Sequence, residues 1–65
     1  MDEKEQAAMR VALADMLAGW RYIRQVHGDL PGVGWGRAQD KAEAALGLQP
    51  WQEMTAEWFG AERLT

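Results

Sequence analysis

The first 27 residues contain no proline and a single glycine, Gly19, and this stretch constrains the fold more than any other feature. Asp2, Glu3 and Glu5 lie at its start, where carboxylates interact favourably with the helix dipole. An apolar pattern with helical spacing continues through the whole stretch. The sequence therefore predicts one long helix from residue 2 to about residue 27, ended by Gly28.

Two sides of this helix carry apolar residues. Intervals of three and four residues place one set on a single face, which we expect to form the core: Met9, Leu13, Met16, Trp20, Ile23 and His27, widened by Ala12 and Leu17. A second set lies on the opposite side: Val11, Ala14, Ala18 and Tyr22. A helix that is apolar on two sides tends to be covered on two sides, so we expect the second set to form a homodimer interface. The alternative is that its alanines only favour an exposed helix.

The remaining residues predict a turn and two short helices. Four glycines and one proline in residues 28–36 predict the turn. A second helix is expected over Trp35 to Leu46, with Gly47 as its cap. Its inner face is expected to carry Trp35, Ala38, Ala42, Ala45 and Leu46. A third is expected to open at Pro50, with Trp51, Met54, Thr55 and Trp58 on its apolar face, to end near Gly60 and to leave a polar tail. The expected fold is all-α: a long N-terminal helix, a Gly/Pro-rich turn and two short helices packed back on it in one domain, residues 1–65, and a helical homodimer.

The composition argues for binding rather than catalysis. A chain of 65 residues has no room for two domains, and it contains no cysteine, serine or asparagine, so nucleophiles and thiolate metal ligands are scarce. We expect no catalytic residue, no metal and no cofactor. The net charge of −3 argues against coating nucleic acid by charge alone. An acidic N-terminus and the lack of a long apolar run predict a cytoplasmic protein without membrane contact.

The aromatic residues and arginines suggest a protein-binding surface. Tryptophan, tyrosine and arginine dominate binding hot spots, and so small a chain has difficulty in burying four tryptophans. The expected contact residues are Arg21, Tyr22, Trp35 and Trp58, and core packing of the aromatics is the alternative. This predicts a small regulator, an inhibitor or adaptor that occupies a surface of a larger bacterial protein. In size and style it resembles accessory proteins carried by phages and mobile elements.

The turn offers a second functional interpretation. Residues 30–34, Leu-Pro-Gly-Val-Gly, followed by Ala38 resemble the hairpin of the helix-hairpin-helix family of DNA-binding modules. The resemblance covers nine residues and implies that the backbone amides of Gly32, Val33 and Gly34 bind a phosphate, with Arg37 adding positive charge. The sequence departs from the family pattern at Asp40 and Lys41, where apolar residues are usual, and at Gly36, where a basic residue is usual. A purely structural turn would need the same glycines.

Overall fold

The computed structural model describes residues 2–29, 32 and 34–64, with side chains for all of these except residues 63 and 64. The described residues form three helices: α1 (Glu3–His27), α2 (Trp35–Leu46) and α3 (Ala56–Leu64). Both α2 and α3 pack against α1. The prediction of an all-α fold with two short helices on a long one is confirmed. None of these helices is long and apolar enough to cross a bilayer.

The ends of α1 follow from residues that satisfy its free backbone groups. The carboxylate of Asp2 accepts a hydrogen bond from the backbone N–H of Glu5 at 2.8 Å, so Asp2 is the N-cap. At the other end Gly28 has a φ of 79°, and its N–H donates to the carbonyl oxygen of Arg24 at 3.0 Å. The predicted extent of this helix is therefore confirmed to within one residue.

The end of α2 is a Schellman motif. Gly47 is left-handed, with a φ of 72°, and its N–H donates to the carbonyl oxygen of Ala44. The N–H of Leu48 donates to the carbonyl oxygen of Glu43 at 2.9 Å, and the Leu48 side chain is buried. The predicted extent of α2 and its glycine cap are both confirmed.

The prediction for the third helix was wrong at its start and at its end. Pro50 lies in a turn instead of opening the helix, and α3 begins only at Ala56. Thr55 caps it, because its hydroxyl oxygen accepts a hydrogen bond from the N–H of Trp58 at 3.1 Å. The helix then continues through Gly60 to Leu64, where the sequence predicted a polar tail.

The core of the molecule includes only part of the predicted apolar stripe of α1, namely Leu13 and Leu17. It consists of Ala14, Leu17, Leu46 and Leu48, with Leu13, Ala42, Met54, Trp58 and Phe59 packed around them. Met9, Met16 and Ile23 of the predicted stripe are exposed. Compared with the prediction, α1 is rotated about its axis, because its arginines face the other two helices. Each arginine donates hydrogen bonds there to a carboxylate or a carbonyl oxygen.

The inner face of α2 agrees with the prediction only in part, since Trp35 and Leu46 are buried as expected. Ala38 and Ala45 are exposed, whereas Gln39 and Glu43 are almost fully buried against α1. Buried polar groups of this kind require hydrogen-bond partners. The contact between α1 and α2 is therefore polar at its centre.

Two glycines provide a test of these helix ends. A Cβ atom added at Gly47 or at Gly60 would meet no atom within 4 Å, so substitution effects there are purely conformational. Gly47→Ala is expected to lower the free energy of unfolding by about 1 kcal/mol, because alanine disfavours the left-handed conformation. Gly60→Ala is expected to raise it by about 0.5 to 1 kcal/mol, because Gly60 is inside a helix.

Urea unfolding followed by circular dichroism measures both changes. A destabilising Gly60→Ala would contradict the assignment of α3 through residue 60. A neutral Gly47→Ala would contradict the Schellman motif.

Candidate functional site

A buried ion pair lies at the centre of the molecule. Nη2 of Arg21 is 2.6 Å from Oε2 of Glu43, and the two residues are 8% and 2% exposed. The same oxygen of Glu43 accepts hydrogen bonds from Nε2 of Gln39 at 3.0 Å and from the backbone N–H of Trp51 at 2.8 Å. One carboxylate therefore connects α1, α2 and the segment between α2 and α3.

The remaining donors of Arg21 are only partly used. Its Nη1 donates to the carbonyl oxygen of Gln52 at 2.7 Å, which adds a second bond to the segment that contains Trp51. Its Nε is buried and has no hydrogen-bond partner. Arg21 is thus fixed in place by the loop and by Glu43 together.

A second arginine reinforces this arrangement. Nη1 of Arg24 donates to Oε1 of Gln39 at 2.7 Å, and its Nε is 2.8 Å from Oδ1 of Asp29. The hydrogen bond to Asp29 raises the pKa of Arg24 above its ordinary value. The guanidinium carbons of Arg21 and Arg24 lie 5.8 and 5.3 Å from the centroid of the Trp51 ring, within cation–π range.

Trp51 has an unusual backbone. Its φ is 60°, and it is the one residue other than glycine with a positive φ in the described part of the chain. Large side chains rarely adopt this conformation, which costs on the order of 1 to 3 kcal/mol and is concentrated at functional sites. The bond from its N–H to Glu43 holds it there, and the side chain remains 47% exposed. The fold thus presents a tryptophan ring at the surface at an energetic cost.

A groove of about 440 Å³ lies beside this ring. Its walls come from α1, from the segment after α2 and from α3, and comprise Ala18, Arg21, Tyr22, Gln25, Trp51, Glu53, Met54 and Phe59. Tyr22 is 62% exposed on the α1 side. We call this feature the Trp51 groove.

The structure brings together only half of the expected protein-binding residues. Arg21 and Tyr22 line the Trp51 groove, although Arg21 is an internal anchor more than a contact residue. Trp35 is buried against Trp20, with ring centroids 4.0 Å apart, and belongs to the interior. Trp58 is half-buried and packs edge-on against the ring of the adjoining Phe59.

The sequence pattern did not predict that Trp51 is exposed at the surface. It placed Trp51 on the inner face of a third helix, because Pro50 resembles a helix start. The sequence signal against this placement was Thr55, which lies four residues after Trp51 and is a better N-cap residue.

The four residues expected to form the dimer interface do not share one exposed surface. Ala14 is 0% exposed and lies in the core of the single chain, so it is not available to a partner. Val11 is half-buried, and Ala18 and Tyr22 are exposed beside or within the Trp51 groove.

The expected phosphate-binding residues lie around the start of α2. Val33, like Leu30 and Pro31, is outside the described residues. Gly32, Gly34 and Arg37 line an open depression of about 640 Å³ together with Ala38 and Lys41. Gly34 is left-handed, and no side chain caps the first turn of α2. No carboxylate among the described side chains forms an ion pair with Arg37 or Lys41.

A third arginine fastens the far end of the molecule. Arg10 of α1 donates from Nη2 to the carbonyl oxygen of Leu46 at 3.0 Å and to Oε1 of Glu62 at 2.9 Å. Its hydrogen bond to Glu62 raises the pKa of Arg10 and lowers the pKa of Glu62 below 4.5. Arg10 therefore links all three helices.

The pKa of Glu43 is set by opposing effects. Burial alone would raise it, but hydrogen bonds from Arg21, Gln39 and the backbone of Trp51 outweigh burial and lower it below 4.5. Both Glu43 and Glu62 thus remain ionised in the folded chain to a lower pH than in the unfolded chain.

No family model, curated protein or solved structure matches this chain. Among the described residues, no three acidic or histidine side chains come close enough to hold a metal ion.

These pKa shifts predict acid sensitivity. The unfolded chain takes up protons at Glu43 and Glu62 first, so the free energy of unfolding is expected to fall as the pH drops from about 5 through the lowered pKa values. Glu62→Gln is expected to make this decline shallower. Glu57→Gln, on the same helix and without an ion pair among the described side chains, is the control.

The free energy of unfolding, measured in urea at a series of pH values, tests this. If wild type and Glu62→Gln lose stability with the same slope below pH 5, the pairing of Glu62 with Arg10 does not hold in solution.

Proposed function

We propose that the chain is a small protein-binding regulator, an inhibitor or adaptor that occupies a surface of a larger bacterial protein through the Trp51 groove. The observation that carries this proposal is the backbone of Trp51. A buried ion pair holds a large aromatic residue in a disfavoured conformation with half of its surface exposed. Glycine would adopt this backbone conformation without strain, so the strain is the cost of having the ring at this position.

The chemistry of the Trp51 groove favours a protein partner over an anion. Arg21 and Arg24 stand behind the ring, but Glu43 and Asp29 already neutralise them. The surface is left with aromatic and apolar walls and with the carboxylate of Glu53. An apolar or aromatic side chain of the partner fits such a groove, and a neighbouring basic residue would meet Glu53.

We further propose that the protein is cytoplasmic and is of the kind that phages and mobile elements carry. The proposal also includes a homodimer through α1. Val11 and Ala18 remain accessible for such a dimer, but Tyr22 cannot serve the dimer and the Trp51 groove at the same time.

A nucleic-acid-binding module is the second candidate function. The depression at the start of α2 supports it, since Arg37 and Lys41 have no ion-pair partner in the described residues and lie beside exposed glycine backbone. Phosphate would be recognised there by backbone amides and these two cations.

Two substitutions separate the candidates. Trp51→Gly removes the ring and keeps the N–H that binds Glu43, and glycine tolerates the φ of 60° without strain. Arg37→Glu reverses a charge in the α2 depression, away from the Trp51 groove. We expect Trp51→Gly to weaken capture of a protein partner at least about thirtyfold with no loss of thermal stability, and Arg37→Glu to leave it unchanged.

The measurement is a pull-down from bacterial lysate, with nuclease-treated and untreated halves, followed by titration of the captured partner. A partner that survives nuclease and is lost only with Trp51→Gly supports the protein-binding proposal. Capture that requires intact nucleic acid, falls steeply with salt and is lost only with Arg37→Glu contradicts it and supports the second candidate.

A further inference from the structure

An exposed apolar line runs along α1 beside the face that packs on α2 and α3, and at its centre Met16 also borders a small apolar cleft with Ala38 and Ala42 of α2. Its spacing of 3, 4, 3, 4 and 3 residues is that of the a and d positions of a coiled coil, and its members are Met9, Ala12, Met16, Gly19, Ile23 and Val26. All six are exposed, Met16 to 72% and Met9 to 56%. We call this line the heptad seam. An exposed apolar seam over about 27 Å of helix is unusual for a monomer.

The order of side chains along the seam is self-complementary. When a second copy is placed antiparallel about a two-fold axis between Met16 and Gly19, Met16 meets Gly19 of that copy. In the next layer the small Ala12 meets Ile23, and in the outermost layer Met9 meets Val26. Each a position thus meets a d position, and the small residues of one copy face larger ones of the other. A Cβ atom added at Gly19 would meet nothing within 4 Å, so a notch is open there for the Met16 side chain.

The charges of α1 favour the antiparallel orientation. Its first turn is acidic, with Glu3 and Glu5, and its last turn is basic, with Arg24 and His27. Parallel pairing would place Glu5 opposite Glu5 of the second copy, because position 5 continues the seam spacing. Antiparallel pairing instead keeps the acidic first turns of the two copies apart, and the helix dipoles then oppose.

We propose that the heptad seam is a homodimer interface in which two copies of this chain pair through α1, antiparallel, with Met16 inserted at Gly19 of the other copy. This interface differs from the one expected from Val11, Ala14, Ala18 and Tyr22. It leaves the Trp51 groove of each copy open, so the dimer presents two grooves. The heptad seam replaces the proposed dimer interface through Val11 and Ala18, and its test does not depend on a partner at the Trp51 groove.

Sedimentation equilibrium over a concentration series tests the dimer. Wild type is expected to approach twice the chain mass of 7.3 kDa as the concentration rises. Met16→Glu would bury a charge in the seam, so its dissociation constant is expected to rise at least about tenfold. Gln6→Glu adds the same charge at an exposed position of α1 outside both the seam and the Trp51 groove and is expected to dimerise like wild type. Circular dichroism establishes that both variants remain helical.

Disulfide trapping tests the orientation, because the chain has no cysteine of its own. Antiparallel pairing predicts that Met9→Cys mixed with Val26→Cys forms a disulfide-linked dimer on oxidation, and that Met9→Cys alone does not. The two copies of position 9 would then lie about 25 Å apart along the axis.

Three results would overturn the proposal. The first is a wild-type chain that stays monomeric across the concentration series. This result would overturn the proposal even if Met16→Glu abolished binding of a different protein. The second is a dimer that Met16→Glu leaves intact, and the third is efficient self-linking of Met9→Cys.

Discussion

The fold depends on the carboxylate of Glu43. A single oxygen receives the guanidinium of Arg21, the amide of Gln39 and the backbone N–H of Trp51, and so determines how three parts of the chain meet. Burying a carboxylate and a guanidinium costs several kcal/mol per ion unless further hydrogen bonds accompany the pair. Here those bonds come from α2 and from the segment between α2 and α3. The ion pair therefore positions these parts of the chain more than it stabilises the fold.

The Trp51 groove is a direct consequence. The bond to Glu43 fixes the N–H of Trp51, the bond from Arg21 fixes the carbonyl of Gln52, and the backbone between them adopts the left-handed conformation. The ring is then directed outward over Arg21 and Arg24. The positive charges of these two arginines are neutralised in the structure, since each arginine has its own carboxylate. This is why the groove suits a protein side chain better than a phosphate.

The sequence predicted what local chemistry determines. The ends of α1 and α2 follow from residues such as Gly28 and Gly47, which act within one turn. The face of α1 that is buried was not predictable in this way, because Arg21 turns inward only when Glu43, 22 positions later, receives it. The apolar residues of α1 do follow helical spacing, but some of them lie outside the core of the single chain. The surface position of Tyr22 was predicted from its residue type. The conformation of Trp51, in contrast, arises from contacts that no local pattern encodes.

A double-mutant cycle on Arg21 and Glu43 tests this account most directly. The free energy of unfolding is measured for wild type, Arg21→Met, Glu43→Leu and the double variant. Each single substitution leaves a buried charge without its partner, so we expect the double variant to be destabilised by about 2 kcal/mol less than the sum of the two singles. Effects that add to within about 0.5 kcal/mol would contradict the claim that this pair organises the fold.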